Sequence, residues 1–372
     1  MKIGIITFHR AHNYGALLQC YALKKYLESQ THCVDIIDYW PRYHANRYAL
    51  LPDFYSQRLF GKIFKIAWFL MGFSKFIRRS NRYKSFMINH LDISSKIAYN
   101  FDSELSDINY DAIIYGSDQI WWKGKFPNFE GYDFVYWGDY VPNTKKKITY
   151  AASMGAINIK ENEVEVLKSK LTNFAAITVR EQDLLEKIQG MTNISVKHVL
   201  DPVFLLTEEE WVQQLLKEKF SNSKANYVLY YQMKVSEDAL LLANQIASSL
   251  NYKIVDIRNR VNPLLIGRRY HQTASTMEFL HLLKNAKYVV TSSFHGMAFS
   301  IIFKKQFFVM GMANHKSRAI SLLQLLGIPE RYLDNISDVN FKDKIDYIEV
   351  TKKLEAERQA SIEILKNALS LE

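Results

Sequence analysis

A β-branched strand, a polar turn and an apolar helix follow one another between Lys287 and Lys305, and that order ties the chain to the α/β class. Tyr288-Val289-Val290 reads as a buried strand. Thr291, Ser292 and Ser293 are helix-capping residue types, and Gly296 permits close backbone approach. Met297 to Phe303 continues as an apolar helix. This layout aims unpaired N–H groups and a positive dipole end at whatever lies beyond the turn, which suits a phosphate or carboxylate. His295 stands in the turn, where a proton-transfer group would be useful.

The same theme recurs along the chain. Lys2–Thr7 is an apolar strand that opens into Phe8-His9-Arg10-Ala11-His12-Asn13-Tyr14-Gly15, and Ala16–Leu27 has helical spacing. Cys33–Tyr39 is the next strand, and strand-helix-strand units of this length imply a parallel sheet. Tyr110–Tyr115 delivers Ser117 and Asp118 to a sheet edge, the usual ligand edge of open α/β folds. Ile148–Gly155 reads as a strand after a solvated Lys145–Lys147 loop. Phe174–Val179 delivers Arg180 to the head of a helix, with Glu181 and Asp183 in its first turn. Arg180 can grip a carboxylate or phosphate there, or pair with those acids. Val196–Val203 is a strand ended by Pro202.

The second half restarts the alternation. Helices are expected over Glu208–Phe220, Glu237–Leu250 and Thr276–Asn285, and strands over Tyr227–Tyr231, Lys253–Ile257 and Gln306–Met310. Asn314–Arg318 reads as a polar loop, Ala319–Leu326 as a helix, and Ile345–Leu371 as one charged helix. The expected architecture is two doubly wound Rossmann-like α/β domains facing across a cleft. Residues 1–205 form the first, 206–344 the second, and 345–372 a helix able to cross back. Neither the GxGxxG fingerprint nor the GxxxxGK[ST] loop occurs.

A length of 372 residues suits two domains. Two cysteines, Cys20 and Cys33, exclude a disulfide framework and point to a reducing compartment. Met1–Ile6 enters a strand at once, without the apolar region of a signal peptide, so the cytoplasm is the expected location. The net charge of +10 favours anionic partners, and no nucleic-acid signature accompanies it. Residues 54–91 hold no Asp or Glu; cations from Arg58 to Lys84 alternate there with Phe60, Phe64, Trp68, Phe69 and Phe73. Interrupting lysines make the segment a poor membrane span. It reads as a basic amphipathic helix for an anionic membrane surface or a lipid phosphate, or as an insertion packed on its own domain. No DxD pair or His/Cys cluster with ligand spacing demands a metal.

Six stretches in order resemble the polysaccharide pyruvyl transferase family: Ile6–Gln19, Tyr115–Trp121, Tyr150–Gly155, Val179-Arg180-Glu181, Leu200-Asp201-Pro202 and Thr291–Gly296. The resemblance implies two domains in the GT-B arrangement, phosphoenolpyruvate as co-substrate without a further cofactor, and a sugar hydroxyl pair as acceptor. The product it implies is a pyruvate ketal on a bacterial surface polysaccharide or its lipid-linked precursor, and residues 54–91 would bring such work to the inner face of the plasma membrane. In this reading His295 is the acid, and Asp118, His9 or His12 supplies the base. Arg180, Ser292, Ser293, Phe294 and Arg318 bind the donor; His9, Arg10, His12, Asn13, Tyr14, Gly15 and Ser117 bind the acceptor. Relatives carry an arginine two places before the histidine, where this chain has Ser293, so Arg180, Arg318 or Lys304 is expected to replace it. Two rival functions are a nucleotide-sugar glycosyltransferase and a non-catalytic lipid-phosphate-binding protein built on residues 54–91. The first rival needs a late acidic residue in the second domain, and none occurs between Gln306 and Ser321.

Overall fold

The computed structural model describes residues 1–48, 59–93, 97–99, 109–139, 146–216, 226–233, 236–312, 316–336, 339–341 and 343–371. The first domain contains β1 (Lys2–Ile6), α1 (Tyr14–Ser29), β2 (Cys33–Ile36), α2 (Arg42–Arg47), α3 (Leu59–His90), β3 (Ala112–Tyr115), β4 (Gly124–Phe126) and β5 (Phe129–Gly131). It continues with β6 (Lys146–Thr149), α4 (Val164–Leu171), β7 (Ile177–Val179), α5 (Gln182–Gln189) and β8 (Val196–His198). Strands β2-β1-β3-β6 form a parallel sheet. The parallel pair β7-β8 extends it through bridges at Ile148–Ala176 and Ala152–Val179.

The second domain comprises α6 (Glu208–Leu215), β9 (Tyr227–Gln232), α7 (Glu237–Leu250), β10 (Lys253–Arg258), β11 (Tyr270–His271), α8 (Thr276–Asn285) and β12 (Tyr288–Thr291). After these come α9 (Phe294–Ile302), β13 (Gln306–Met310), α10 (Lys316–Leu326), β14 (Tyr332–Leu333) and α11 (Tyr347–Ser370). Its six parallel strands run in the order β11-β10-β9-β12-β13-β14, so the chain winds outward in both directions from β9 and β12. That is the Rossmann order, and its switch point lies where β12 ends. Both domains are therefore doubly wound and Rossmann-like.

Strands such as Ala112–Tyr115 and Tyr288–Thr291 are buried at every position, because helices cover both faces of a parallel sheet. Helix α9 is likewise buried throughout, in keeping with a sequence that is apolar apart from His295 and Ser300. One apolar cluster runs from Leu17 and Leu18 of α1 through Trp211 to Phe279 and Phe299 of the second domain. The Tyr14 ring stacks on Phe279 at 4.6 Å, and its hydroxyl donates to the Ala274 carbonyl at 2.8 Å. The domains are thus joined by core packing at the root of the cleft.

Helix α3 leaves the first domain and clamps the second. Buried Arg79 donates to the carbonyls of Arg258, Asn259 and Gln272 and to the Tyr83 hydroxyl. Tyr83, Phe86 and Met87 join the core, whereas Phe64, Leu70 and Met71 are 60–65% exposed. One end of the helix is packed and the other carries an apolar face in solvent; residues 54–58 of the expected segment lie outside the described residues. Helix α11 returns to the first domain: Arg358 Nε donates to Phe204 O at 2.6 Å, Ser361 Oγ accepts from Leu200 N–H at 3.0 Å, and Lys146 Nζ donates to Leu369 O at 2.9 Å.

Three local expectations are corrected. Lys146 and Lys147 belong to β6, because their ammonium groups reach the Leu369 and Gly138 carbonyls (Lys145 lies outside the described residues). Lys316, Ser317 and Arg318 are the first turn of α10, whose buried stripe of Ala319, Leu322, Leu323 and Leu326 begins after a polar start. Asn314 and His315 lie outside the described residues. The strands expected over Ile148–Gly155 and Val196–Val203 end at Thr149 and His198.

Candidate active site

The turn after β12 is built by its own hydroxyls. Thr291 Oγ1 donates to Tyr231 O at 2.6 Å and accepts from Ser293 N–H at 3.0 Å. Ser293 Oγ caps α9 by accepting from Gly296 N–H at 3.2 Å, and Ser292 Oγ accepts from Met233 N–H at 3.0 Å. A Cβ on Gly296 would lie 2.4 Å from Thr291 Oγ1, so the turn needs glycine there. The cap leaves the N–H groups of Phe294 and His295 at the helix head without intrahelical partners.

Helix α1 meets this turn head-on. Asn13 Oδ1 accepts from Gly15 N–H at 2.9 Å, and the missing side chain of Gly15 makes room for the His295 ring. On the ring's other side, Nε2 lies 3.5 Å from Asp201 Oδ2, an ion-pair distance too long for a hydrogen bond. Among the described residues Nε2 has no hydrogen-bond partner, although it is buried.

Behind His295 stands a buried charge network from the strand ends of the first domain. Arg180 Nη1 donates to Asp201 Oδ2 at 2.6 Å, Nη2 to Ser153 Oγ at 3.0 Å, and Nε faces Glu181 Oε1 at 3.3 Å. Ser117 Oγ donates to Asp201 at 3.1 Å. Burial raises the pKa of the Asp201 carboxyl, but His295 and Arg180 outweigh it and hold the group below its ordinary value. Glu181 goes the other way: burial dominates and raises it against Arg180 and Ser153. Phe294 bridges to the cleft, with the Arg180 guanidinium 4.8 Å and the Arg318 guanidinium 5.6 Å from its ring centre.

The cleft between the domains holds about 520 Å³. Asp118, Gln119 and Asn13 line it from one side; Ser292, Ser293, Phe294, His295 and Arg318 line it from the other. Asp118 adopts a left-handed φ of 76°, and its Oδ1 accepts from Gln119 N–H at 2.9 Å. Arg318 has a buried Nε without a partner among the described residues. Burial and, next, the Arg180 charge lower its pKa to about 10. A guanidinium in that state is a ready anion receptor. An aromatic wall of Tyr43, Trp122, Phe126 and Phe129 completes the cleft, with Tyr43 and Phe129 stacked at 4.1 Å.

His295, Asp118, Ser292, Ser293, Phe294, Arg318 and Asn13 therefore meet at one cleft. Arg180 and Ser117 lie behind it, in the Asp201 network. His9 and Arg10 both pair with Asp38, His9 Nε2 at 2.8 Å from it, and neither lines the cleft. Tyr14 is spent on the domain junction. His12 stacks on Tyr83 at 5.0 Å beside a neighbouring groove; burial, then Arg79 and Lys84, lower its pKa to about 4. Lys304 sits past the far end of α9, about 13 Å of helix away from His295. The sequence alone assigns no site role to Asp201 or to the aromatic wall. The Leu200-Asp201-Pro202 motif was the available signal for the former, and the Phe126–Phe129 aromatic pair for the latter.

Cationic, imidazole and carboxylate groups over one interdomain cleft suit a group transferase. The profile of the family described as Polysaccharide pyruvyl transferase matches residues 13–314. The chain belongs to the polysaccharide pyruvyl transferase family, and its work lies in polysaccharide biosynthesis with a sugar acceptor. No curated protein matches the sequence at a significant level. Among solved structures, UDP-GlcNAc 2-epimerase from Neisseria meningitidis bound to UDP-GlcNAc is 9% identical with a TM-score of 0.47, covering 100% of this chain and 95% of that one. A putative UDP-N-acetylglucosamine 2-epimerase from Listeria monocytogenes is 9% identical with a TM-score of 0.48, covering 96% and 90%. A protein from Klebsiella pneumoniae, KP1_0663, is 14% identical with a TM-score of 0.38, covering 71% and 88%.

Proposed function

We propose that the protein moves the enolpyruvyl group of phosphoenolpyruvate onto two hydroxyls of one sugar in a lipid-linked polysaccharide precursor, forming a pyruvate ketal. The observation that carries this reading is the placing of His295 and of Arg318, whose Nε has no hydrogen-bond partner among the described residues, on one wall of a cleft whose opposite wall holds Asp118. A small dianion needs cations and helix N–H groups; Arg318 and the head of α9 supply both. Arg180 acts through Asp201 and Phe294 rather than by direct contact.

His295, as imidazolium, protonates the methylene carbon of the donor, and C2 becomes an oxocarbenium centre. Asp201 places a negative charge beside that ring when it carries the proton. The first sugar hydroxyl attacks C2 and gives its proton to Asp118. The C2–O bond to phosphate then breaks, and phosphate leaves with the Asp118 proton. The second hydroxyl closes the ketal and returns a proton to His295. One proton ends on the new methyl group and one on phosphate, so both residues recover their starting states.

Aromatic faces such as Phe126, Phe129 and Tyr43 suit a sugar ring, which stacks its C–H face on them. The apolar face of α3 supports work at a membrane surface in the cytoplasm. No helix among the described residues is long and apolar enough to cross a membrane.

The test is phosphate release from phosphoenolpyruvate in the presence of lipid-linked glycan, with mass spectrometry of the glycan. The expected result is acceptor-dependent phosphate release and a pyruvate-sized mass increment, both lost in His295→Ala. Turnover of a nucleotide sugar without that increment would replace this reading by the glycosyltransferase.

A further inference from the structure

Beside the cleft lies a second groove of about 710 Å³. The two share a wall of Asn13, Arg47, Tyr48 and Met233, so a molecule filling one can continue into the other. Phe64, Trp68, Phe69 and Phe76 of α3 line one flank, and Arg260 and Val261 of the loop after β10 line the other. No carboxylate is among the described residues that line it. Arg47 and Arg260 have no carboxylate partner among the described residues, whereas Arg79 spends its donors on carbonyls and Tyr83. The groove is built rather than incidental. Lys75 Nζ donates to Leu265 O at 3.1 Å, and Gly72 lets α3 approach Pro263 so closely that a Cβ would lie 2.8 Å from it. Its outer end meets the exposed Phe64, Leu70 and Met71 face.

An aromatic trough whose cations Arg47 and Arg260 have no carboxylate partner among the described residues matches one chemistry, an anion joined to a hydrocarbon chain. We propose that this groove seats the acceptor's lipid carrier, a phosphate ester of a long-chain alcohol. The phosphate lies between Arg47 and Arg260, the first part of the chain lies along Phe64, Trp68 and Phe69, and the sugar passes Tyr48 into the cleft. This assignment rests on the proposed transfer to a lipid-linked acceptor, but its physical basis is separate from the donor site.

The experiment is calorimetric titration of the full chain with decyl phosphate below its micelle concentration, against decanol, inorganic phosphate and anionic vesicles. Decyl phosphate is expected to bind, with inorganic phosphate failing to displace it. Arg260→Ser and the exposed-site variant Phe64→Ser are each expected to weaken it about ten-fold, with the thermal shift produced by phosphoenolpyruvate unchanged. Equal affinity for decanol, or wild-type affinity in both variants, overturns the assignment. So does loss of vesicle binding with decyl phosphate binding retained, which makes the face a membrane contact only. A missing thermal shift with phosphoenolpyruvate, and decyl phosphate binding intact, sinks the donor reading instead and leaves the groove standing.

Discussion

The His295 imidazole occupies the space that a side chain at position 15 would take: a Cβ on Gly15 would lie 2.0 Å from Nδ1 and 2.3 Å from Cγ. Two sequence motifs from different domains are thereby locked to each other. Gly15→Ala is expected to push the ring out of register without unfolding the protein. Loss of a general acid typically costs about 100-fold or more, so phosphate release should fall by that order while the thermal midpoint moves little. Near-normal turnover in Gly15→Ala would show that ring placement is not limiting.

Arg318 lines the cleft, and its buried Nε has no hydrogen-bond partner among the described residues. Lysine keeps the charge but not the planar fork. Arg318→Lys is expected to raise KM for phosphoenolpyruvate about ten-fold with a smaller change in kcat. Steady-state kinetics at saturating acceptor check this; an unchanged KM moves the donor contact elsewhere.

Asp201 and Glu181 should shape acid stability in opposite senses. The Asp201 carboxyl is held below its ordinary 3.8, so its contribution is present above that pH and disappears as pH falls toward its folded value. Glu181 is raised above its ordinary 4.5, so its contribution is present below that pH and disappears as pH rises through its folded value. Asp201→Asn should cost about 3 kcal/mol near neutrality, since it strands the buried Arg180 charge, and should flatten the acid-side decline. Glu181→Gln should flatten the decline on the other side. Urea midpoints measured across the acid range distinguish the two; parallel curves for both variants would contradict the assignment.

Tyr14 joins the domains through the Ala274 carbonyl. Tyr14→Phe is expected to cost about 1 kcal/mol of stability and to leave KM for the acceptor unchanged. A large rise in acceptor KM would return Tyr14 to the binding surface.

Much of this was legible in the chain because it was local. The strand, cap and glycine of Tyr288–Gly296 carry their instructions within nine consecutive positions, as does the Asn13-Tyr14-Gly15 turn. Arg318 reads as loop because the first turn of α10 is polar and its buried stripe starts at Ala319. Lys146 and Lys147 looked solvated because their partners are carbonyls of Leu369 and Gly138, which only the fold brings near. Asp201 carries no local mark of a site residue for the same reason: its significance lies in His295 and Arg180, each delivered by a different strand. His9 and Arg10 share a motif with Asn13, yet Asp38 at the end of the neighbouring strand claims them both.

The grip of α11 on the segment from Leu200 to Phe204 bears on how a newborn molecule comes of age. Asp201 is flanked by two backbone groups that wait for Ser361 and Arg358. While a ribosome still holds residues 347–370, the Leu200 N–H and the Phe204 carbonyl lack these partners, and the loop that carries Asp201 stays unbraced. The loop bearing the counter-charge to His295 is thus held by a stretch of chain that is synthesised after the described cleft residues.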